Sequence, residues 1–169
     1  MTAFTELINL YKQRIFAYAY RMVGNTQDAE DIAQETFLRV YRHLASYDPH
    51  RRFSTWVYAI ANNLCIDQLR RRHPTVSLDQ PLNDEGDLFL EPAATDGDPE
   101  HEVEQVELHQ MVESAIASLP ESYRSVIVLR HLQNLSYEEI SRVLDLPLNT
   151  VKTRIFRARE ALCKRLKDL

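Results

Sequence analysis

Apolar residues recur at intervals of three and four positions through the first part of the chain, and this spacing predicts α-helices. The segment FTELINLYKQRIFAYAYRMV forms the first predicted helix, which stops before Asn25 because a Gly-Asn pair ends helices. Asn25 or Thr26 is predicted to cap a second helix that runs to about Leu44. Ser54 is predicted to cap a third helix, which runs to Arg72.

A polar interval at residues 74–99 separates these helices from the rest of the chain. It contains prolines and two of the three glycines, and it has no Lys or Arg, so it is too broken for a helix and too acidic to pack on its own. Helical spacing resumes from Glu100, and Pro120 opens a further helix. The pattern predicts an all-α protein with an acidic, flexible linker between two small helical domains, residues 1–73 and 100–169.

The end of the second domain predicts a short helix, a turn and a long helix. Ser136 and Glu139 match a capping box, which starts the short helix. A tight break that holds Pro147 follows, and Asn149 or Thr150 is expected to cap the final, basic helix. This order is the layout of a C-terminal helix-turn-helix.

The net charge of −5 argues at first against nucleic acid, but the charge is unevenly distributed. Residues 1–73 hold ten Lys or Arg against seven Asp or Glu, and residues 114–169 hold ten against six. Residues 74–113 hold twelve Asp or Glu and no Lys or Arg. Two mildly basic blocks therefore flank an acidic strip, and each block has to be judged by its own charge.

Composition excludes several classes of protein. No apolar run reaches the roughly 18 residues of a membrane span, and the N-terminus lacks the pattern of a signal peptide, so we expect a cytoplasmic protein without membrane insertion. Cys65 and Cys163 lie far apart and are expected to be free thiols. The sequence contains no combination of residues typical of an active site, no Cys or His pair at the spacing of metal ligands, and no phosphate-binding glycine loop. We therefore expect no catalytic residues, no metal and no cofactor.

The final helix has two contrasting faces. Its narrow apolar stripe consists of Val151, Ile155, Ala158 and Leu162. The opposite face carries Thr153, Phe156 and Arg157, and Lys152 lies on its flank. Recognition helices point such side chains into the major groove, where a ring can touch thymine methyl groups. The alternative is a solvated basic helix that closes a bundle, but the capped short helix before it favours DNA binding.

The third predicted helix interleaves aromatic and basic residues. Phe53 and Trp56 lie among arginines, and proteins that bind single-stranded DNA combine rings that stack on bases with cations that follow phosphates. Asn63, Asp67 and Arg70 share a polar edge of this helix on the side of Trp56. The alternative is that Phe53 and Trp56 are core residues, and the sequence leaves this open.

An acidic face is predicted on the second helix. Asp31, Gln34 and Glu35 follow the spacing i, i+3, i+4, and Leu38 lies one turn further on the same side. Charge spacing alone favours a solvated polar face. The alternative is an acidic docking face for a basic partner helix.

Three segments, in this order, resemble bacterial sigma factors of the extracytoplasmic-function (ECF) group in the sigma-70 family. DAEDIAQETFLRVYR resembles the family's helix that binds core RNA polymerase, and FSTWVYAIANNLCIDQLRRR resembles its promoter-melting and minus-ten-reading helix. LPESYRSVIVLRHLQNLSYEEISRVLDLPLNTVKTRIFRAREAL resembles its minus-thirty-five-reading domain. The resemblance implies a non-enzymatic sigma factor that binds core polymerase and promoter DNA and directs transcription initiation.

The resemblance also implies roles for particular residues. Asp31, Gln34 and Glu35 match the face that docks on the polymerase's basic coiled coil, with Leu38 beside them. Asn63 matches a residue that helps to hold a flipped-out minus-ten base, and residues 46–53 match the loop that supplies its pocket. The rest of that minus-ten set consists of Phe53, Trp56, Asp67 and Arg70. The minus-thirty-five contacts match Lys152, Thr153, Phe156 and Arg157.

An anti-sigma factor that hides these surfaces is a further partner implied by the resemblance. The residues alone are also compatible with two other functions. The first is a stand-alone helix-turn-helix regulator whose first domain senses or dimerises. The second is a helical adaptor whose basic faces are merely solvated.

Overall fold

The computed structural model describes residues 2–72 and 99–168, and in these ranges it contains α-helices and no strand. The predicted all-α class is therefore confirmed. The predicted linker lies almost wholly outside the described residues. The α-helices are α1 (Thr2–Val23), α2 (Thr26–Arg42), α3 (Phe53–Arg72), α4 (Pro99–Ala117), α5 (Glu121–Ile127), α6 (Tyr137–Leu144) and α7 (Leu148–Lys167).

Two of the predicted helix caps are confirmed. The side chain of Asn25 accepts a 2.8 Å hydrogen bond from the backbone N–H of Asp28 and so caps α2. Ser136 and Glu139 form the reciprocal pair of bonds that defines a capping box at the start of α6. Both caps satisfy N–H groups that the first helical turn leaves without partners.

Three predicted helix boundaries are wrong by a few residues. Pro147 occupies the N-cap position of α7, so neither Asn149 nor Thr150 caps it; the fixed φ of proline suits a helix entry and needs no side-chain cap. The α3 helix begins at Phe53, one residue before its predicted cap. The α2 helix ends at Arg42, and a short 3-10 turn continues to Ser46.

Helices α1 to α3 form the first helical unit, in which each helix packs against the other two. Their shared core includes Ile15, Met22, Val40 and Val57, all of which are fully buried. Tyr18 lies in the same core and meets the ring of Tyr58 edge to face, with 5.8 Å between ring centroids. This packing leaves one side of α2 and one edge of α3 in solvent.

Helices α4 to α7 form the second helical unit. Between α5 and α6 the chain makes a π-helical turn over Val128–Leu132. Asp145 adopts the left-handed conformation, with φ 53° and ψ 53°, and this residue ends α6 and turns the chain toward α7. The apolar stripe of α7 at Val151, Ile155 and Ala158 is buried, so the opposite face of α7 points outward.

The two helical units pack against each other and share one continuous apolar core. The α6 helix lies against α3, and α4 and α5 contact α1. The hydroxyl of Tyr58 on α3 donates a 2.5 Å hydrogen bond to Oε1 of Gln133, which follows the π-helical turn. None of the helices in the described ranges has the length and apolar character needed to cross a lipid bilayer.

Candidate polymerase and promoter interfaces

One side of α2 carries the predicted polymerase-binding residues. Asp31 and Gln34 are exposed, and Leu38 keeps 49% of its surface accessible. Glu35 is half-buried, and its Oε1 accepts a 3.0 Å hydrogen bond from Nε of Arg39 one turn later. The structure thus brings the predicted acidic groups and an exposed leucine to a single face. We call Asp31, Gln34, Glu35 and Leu38 the α2 face.

Tyr41 extends the α2 face and was not predicted. It lies three residues after Leu38, it is 62% exposed, and its ring stands 5.8 Å from the ring of Phe4. Helical spacing from Leu38 is the signal that would have found it, because i and i+3 share a face. An apolar ring beside an acidic stripe gives the α2 face both a hydrophobic and a charged component.

The start of α3 forms an aromatic cluster with the loop before it. Tyr47 stacks on Trp56 at 4.9 Å and 18° between rings, and Phe53 meets Trp56 nearly at right angles at 5.9 Å. Phe53 and Trp56 are both half-buried, so each side chain packs against the core and keeps part of its surface accessible. Tyr47 lies in the loop 46–53 that the resemblance implies for the minus-ten pocket, although its stacking on Trp56 was not predicted. Its hydroxyl donates to the backbone oxygen of Arg51, which holds the loop against α3.

The polar edge of α3 lies beside this cluster. Asn63, Asp67 and Arg70 are all exposed, at a spacing that places them on one side of the helix. Asn62 is buried instead, and its Oδ1 accepts a 2.8 Å hydrogen bond from the hydroxyl of Tyr18. Of the two neighbouring asparagines, only Asn63 is therefore accessible to a ligand.

The outward face of α7 carries the four predicted groove contacts. Lys152, Thr153 and Arg157 are exposed, and Phe156 is 62% exposed although Ile155 beside it is buried. The hydroxyl of Thr153 donates a 2.9 Å hydrogen bond to the backbone oxygen of Asn149. An apolar ring on a solvent-facing side, between two cations, adds nothing to the core and is available to a partner.

A histidine in the π-helical turn contacts the flank of α7. Nε of Arg159 donates a 3.1 Å hydrogen bond to Nε2 of His131, which must be unprotonated at that nitrogen to accept it. Burial lowers the pKa of His131 from its ordinary value, and the cationic Arg159 and Arg130 lower it further. This contact fixes one cation of the α7 flank.

The described residues do not form a metal-binding site. Across residues 2–72 and 99–168, no group of three or more His, Cys, Asp or Glu side chains is arranged to hold a metal ion. The exposed groups on these faces are carboxylates, amides, cations and rings. They are suited to binding a helix or nucleic acid.

Family models match two parts of the chain. The model of sigma-70 region 2 matches residues 7–75, which include most of the first helical unit. The model of sigma-70 region 4 matches residues 109–162, from within α4 to within α7.

Individual proteins match over nearly the whole chain. The sequence is 46% identical over 169 residues to the ECF RNA polymerase sigma factor SigW of Bacillus subtilis, covering 99% of this chain and 90% of that protein. It is 38% identical over 173 residues to the RNA polymerase sigma-H factor of Pseudomonas aeruginosa, with 99% and 88% covered.

Two solved structures share the fold. One is CnrH in complex with the cytosolic domain of CnrY, with a TM-score of 0.72, 26% identity, and coverage of 99% of this chain and 89% of that one. The other is the sigma factor RpoE of Bartonella quintana in complex with the anti-sigma factor NepR, with a TM-score of 0.77, 23% identity, and coverage of 99% and 98%. The second likeness bears on the fold alone.

Proposed function

The chain belongs to the ECF sigma factors, non-enzymatic subunits that direct RNA polymerase to promoters and start transcription, and from that premise we propose which residues do so. The observation that carries the proposal is the exposure of three chemically distinct faces, on α2, α3 and α7. The face on α2 is complementary to a basic helix, the face on α3 to an unstacked DNA strand, and the face on α7 to the groove of a DNA duplex.

The α2 face binds core RNA polymerase. Asp31 and Glu35 supply negative charge, which attracts a basic partner surface and orients it. Leu38 supplies exposed apolar area that gains free energy when a partner covers it. Tyr41 adds to the same contact because it continues this surface by one turn.

The aromatic cluster and polar edge of α3 bind the minus-ten strand. Trp56 and Phe53 offer ring faces on which an unstacked base gains stacking energy, about 1–3 kcal/mol per base in comparable proteins. Asn63 carries both a donor and an acceptor for a base edge. Asp67 and Arg70 extend the edge, and Arg70 attracts the phosphate backbone.

The outward face of α7 reads the minus-thirty-five duplex. Lys152 and Arg157 supply the cations that contact phosphates or guanine edges. Phe156 and the methyl group of Thr153 supply apolar contacts for thymine methyl groups. Each face alone is small, so polymerase raises the affinity by joining two weak DNA contacts in one assembly.

The proposal extends to domain division, location and regulation. Residues 1–73 form the polymerase and minus-ten domain, residues 74–99 a linker, and residues 100–169 the minus-thirty-five domain. The protein acts in the cytoplasm, where core polymerase and promoter DNA are found. An anti-sigma factor is the further partner that the family resemblance implies, and the similar protein CnrH was solved in complex with a partner, the cytosolic domain of CnrY.

Transcription in vitro with core polymerase on a randomised promoter library tests the proposal. Wild-type protein is expected to enrich templates that share two spaced elements. Lys152→Ala with Arg157→Ala is expected to erase selection at the upstream element and to preserve polymerase binding. Lys164→Ala, an exposed cation further along α7, is the matched control and is expected to leave selection intact.

The reciprocal variant tests the α2 face. Asp31→Ala with Leu38→Ala is expected to abolish polymerase binding in a pull-down and to leave duplex affinity unchanged. Glu104→Ala, which removes an exposed carboxylate of α4 and so lies outside the α2 face, serves as its control. Tight duplex binding without polymerase, with no initiation at any template, would favour a stand-alone helix-turn-helix regulator instead.

A further inference from the structure

Three arginines end α3, and the last of them, Arg72, faces away from the polar edge of the helix. That edge runs through Asn63, Asp67 and Arg70. Arg72 follows Arg70 by two residues, and two residues of an α-helix differ by about 200° in direction, so their side chains leave nearly opposite sides of α3. Arg70 and Arg71 are exposed, whereas the guanidinium of Arg72 reaches back to the junction between α1 and α2.

Arg72 contacts the end of α1 and the start of α2 with one guanidinium. Its Nη1 donates a 2.9 Å hydrogen bond to the backbone oxygen of Val23, the last residue of α1. Its Nη2 forms an ion pair with Oδ2 of Asp28 in the first turn of α2. Carbonyls at a helix C-terminus carry partial negative charge, and N–H groups at an N-terminus carry partial positive charge. The cation therefore complements the end of α1, and the acid complements the start of α2.

Asp28 is itself held in place by Asn25. Oδ2 of Asp28 accepts a 2.8 Å hydrogen bond from Nδ2 of Asn25, whose Oδ1 accepts from the backbone N–H of Asp28. The side chain of Asp28 keeps 20% of its surface accessible, and that of Arg72 keeps 36%. Solvent and salt screen a partly buried pair less than an exposed one. We name Arg72, Asp28 and Val23 the α3 clamp.

The α3 clamp gives the last turn of α3 a fixed position. Helix ends fray, and they open locally where few tertiary contacts hold them. Arg72 is the final residue of α3, so the clamp acts at the point where fraying would begin. Arg70 lies in the same turn. Fraying of this turn would move Arg70 away from its place in line with Asn63 and Asp67.

The clamp also joins the two helices that we assign to different partners. Asp28 belongs to α2, which carries the α2 face, and Arg72 belongs to α3, which carries the minus-ten residues. Once polymerase holds α2, a contact between these helices fixes the direction in which the end of α3 meets DNA. An edge that spent part of its time elsewhere would lose apparent affinity in proportion.

We propose that Arg72 and Asp28 are positioning residues for minus-ten recognition, because their contact holds Arg70 where the unstacked strand binds. The proposal rests on the function proposed for the polar edge of α3. Neither residue has to touch DNA, since Arg72 is engaged on the side of α3 opposite Arg70. The alternative is that Arg72 contacts a phosphate directly, and it makes the opposite prediction for a change at Asp28.

The sign of the effect of Asp28→Asn separates positioning from direct contact. This variant keeps the size of the side chain and the backbone cap at Asn25, and it removes the charge that holds Arg72. Holoenzyme with this variant is expected to bind a fork template with an unpaired minus-ten element, taken from the selected promoter library, about tenfold more weakly. Direct contact predicts tighter binding, because Arg72 is released and a negative charge is lost. Equal or tighter binding would overturn the proposal.

A double-mutant cycle tests whether Asp28 and Arg72 act together. Arg72→Gln is expected to weaken fork binding as much as Asp28→Asn does, and the double variant no more than either, because each change breaks the same contact. Losses that add up in the double variant would contradict the clamp. Arg71→Gln, which removes the exposed charge next in sequence, is the matched control and should bind within about twofold of wild type.

Arg70→Ala distinguishes failure of the clamp from failure of the proposed minus-ten role. In the wild-type background it should weaken fork binding and make the slope of log K against log salt about 0.7 less negative. In the Asp28→Asn background both effects should be much smaller, because Arg70 is already displaced. Effects of the same size in both backgrounds would refute the clamp alone. No effect in either background would refute both the clamp and the role of Arg70.

Amide hydrogen exchange of the full chain gives a readout that needs no DNA. Amides in the last turn of α3 are expected to exchange about tenfold faster in Asp28→Asn and in Arg72→Gln than in wild type. Arg71→Gln should match wild type. Unchanged exchange in this turn would overturn the positioning role, even if both variants bound the fork template weakly.

Discussion

The hydroxyl of Tyr18 donates a 2.8 Å hydrogen bond to Oδ1 of Asn62 inside the first helical unit. Burial raises the pKa of Tyr18 well above its ordinary value, so the phenol keeps its proton and remains a donor. Asn62 is therefore a structural residue that ties α1 to α3. Its neighbour Asn63 faces solvent beside the aromatic cluster and is left for DNA.

Replacing Asn62 and Asn63 one at a time should show that the first contributes to stability and the second to promoter recognition. Asn62→Ala is expected to lower the free energy of unfolding by about 1–3 kcal/mol, because it leaves the buried Tyr18 hydroxyl without an acceptor. Asn63→Ala is expected to change that free energy by less than about 0.5 kcal/mol and to reduce initiation at a minus-ten element. Urea denaturation and transcription in vitro measure the two effects. The opposite pattern would show that the roles of the two residues had been exchanged.

Adjacent residues on α7 should differ in the same way. Ile155→Ala is expected to cost about 2–5 kcal/mol of stability, because Ile155 is 1% exposed and its removal leaves a cavity. Phe156→Ala is expected to change stability by less than about 0.5 kcal/mol, because its ring is exposed. In a duplex-binding assay with holoenzyme, Phe156→Ala should weaken binding to the upstream element. A large stability loss in Phe156→Ala would place its ring in a core.

His131 should titrate below the range of an ordinary histidine. Burial lowers its pKa, and Arg159 and Arg130 add to the effect, so the unfolded chain takes up this proton before the folded protein does as pH falls. Stability should therefore decline below about pH 6.5, and the decline should be smaller in His131→Gln. NMR titration of the imidazole should show its pKa rising in Arg159→Ala. An unchanged pKa in that variant would mean that Arg159 does not act on the ring.

The two thiols should react at very different rates. Burial raises the pKa of Cys65 to about 12, while Cys163 is exposed. A thiol reagent at neutral pH should modify one group in the folded protein and two in urea, and Cys163→Ser should abolish the folded-state reaction. Because the unfolded Cys65 thiol ionises near pH 9 and the folded one near 12, stability should fall as pH rises through that interval. Rapid modification of two thiols in native buffer would contradict the burial of Cys65.

The outward position of Phe156 could be predicted from the sequence, because helical periodicity alone assigns a residue to one side of a helix. The same reasoning placed Asn63 on the side of Trp56. The loop of Tyr47 was assigned to the minus-ten pocket by the resemblance, but its stacking on Trp56 was missed, because no periodicity applies in a loop and the stacking partner is nine residues away. Gln133 was missed because its partner Tyr58 lies 75 positions earlier, and such a contact exists only once the two helical units are packed.

The half-burial of Phe53 and Trp56 shows a further limit of sequence reasoning. The sequence left these rings as either core residues or DNA contacts. In the structure each side chain packs against the core and keeps part of its surface accessible, so the two roles do not exclude each other. The error at the start of α7 has a different origin: Asn149 and Thr150 are good capping residues, but Pro147 starts the helix before either of them.

Trp56 is the only tryptophan of the chain, and it stacks on Tyr47 at 4.9 Å. Fluorescence excited selectively at tryptophan, away from the absorption of the tyrosines, therefore reports on a single place, the aromatic cluster at the start of α3. Any event that separates the two rings changes the surroundings of the only indole. The fluorescence of Trp56 can therefore be used to follow the binding of a DNA base at this cluster in real time, without a label.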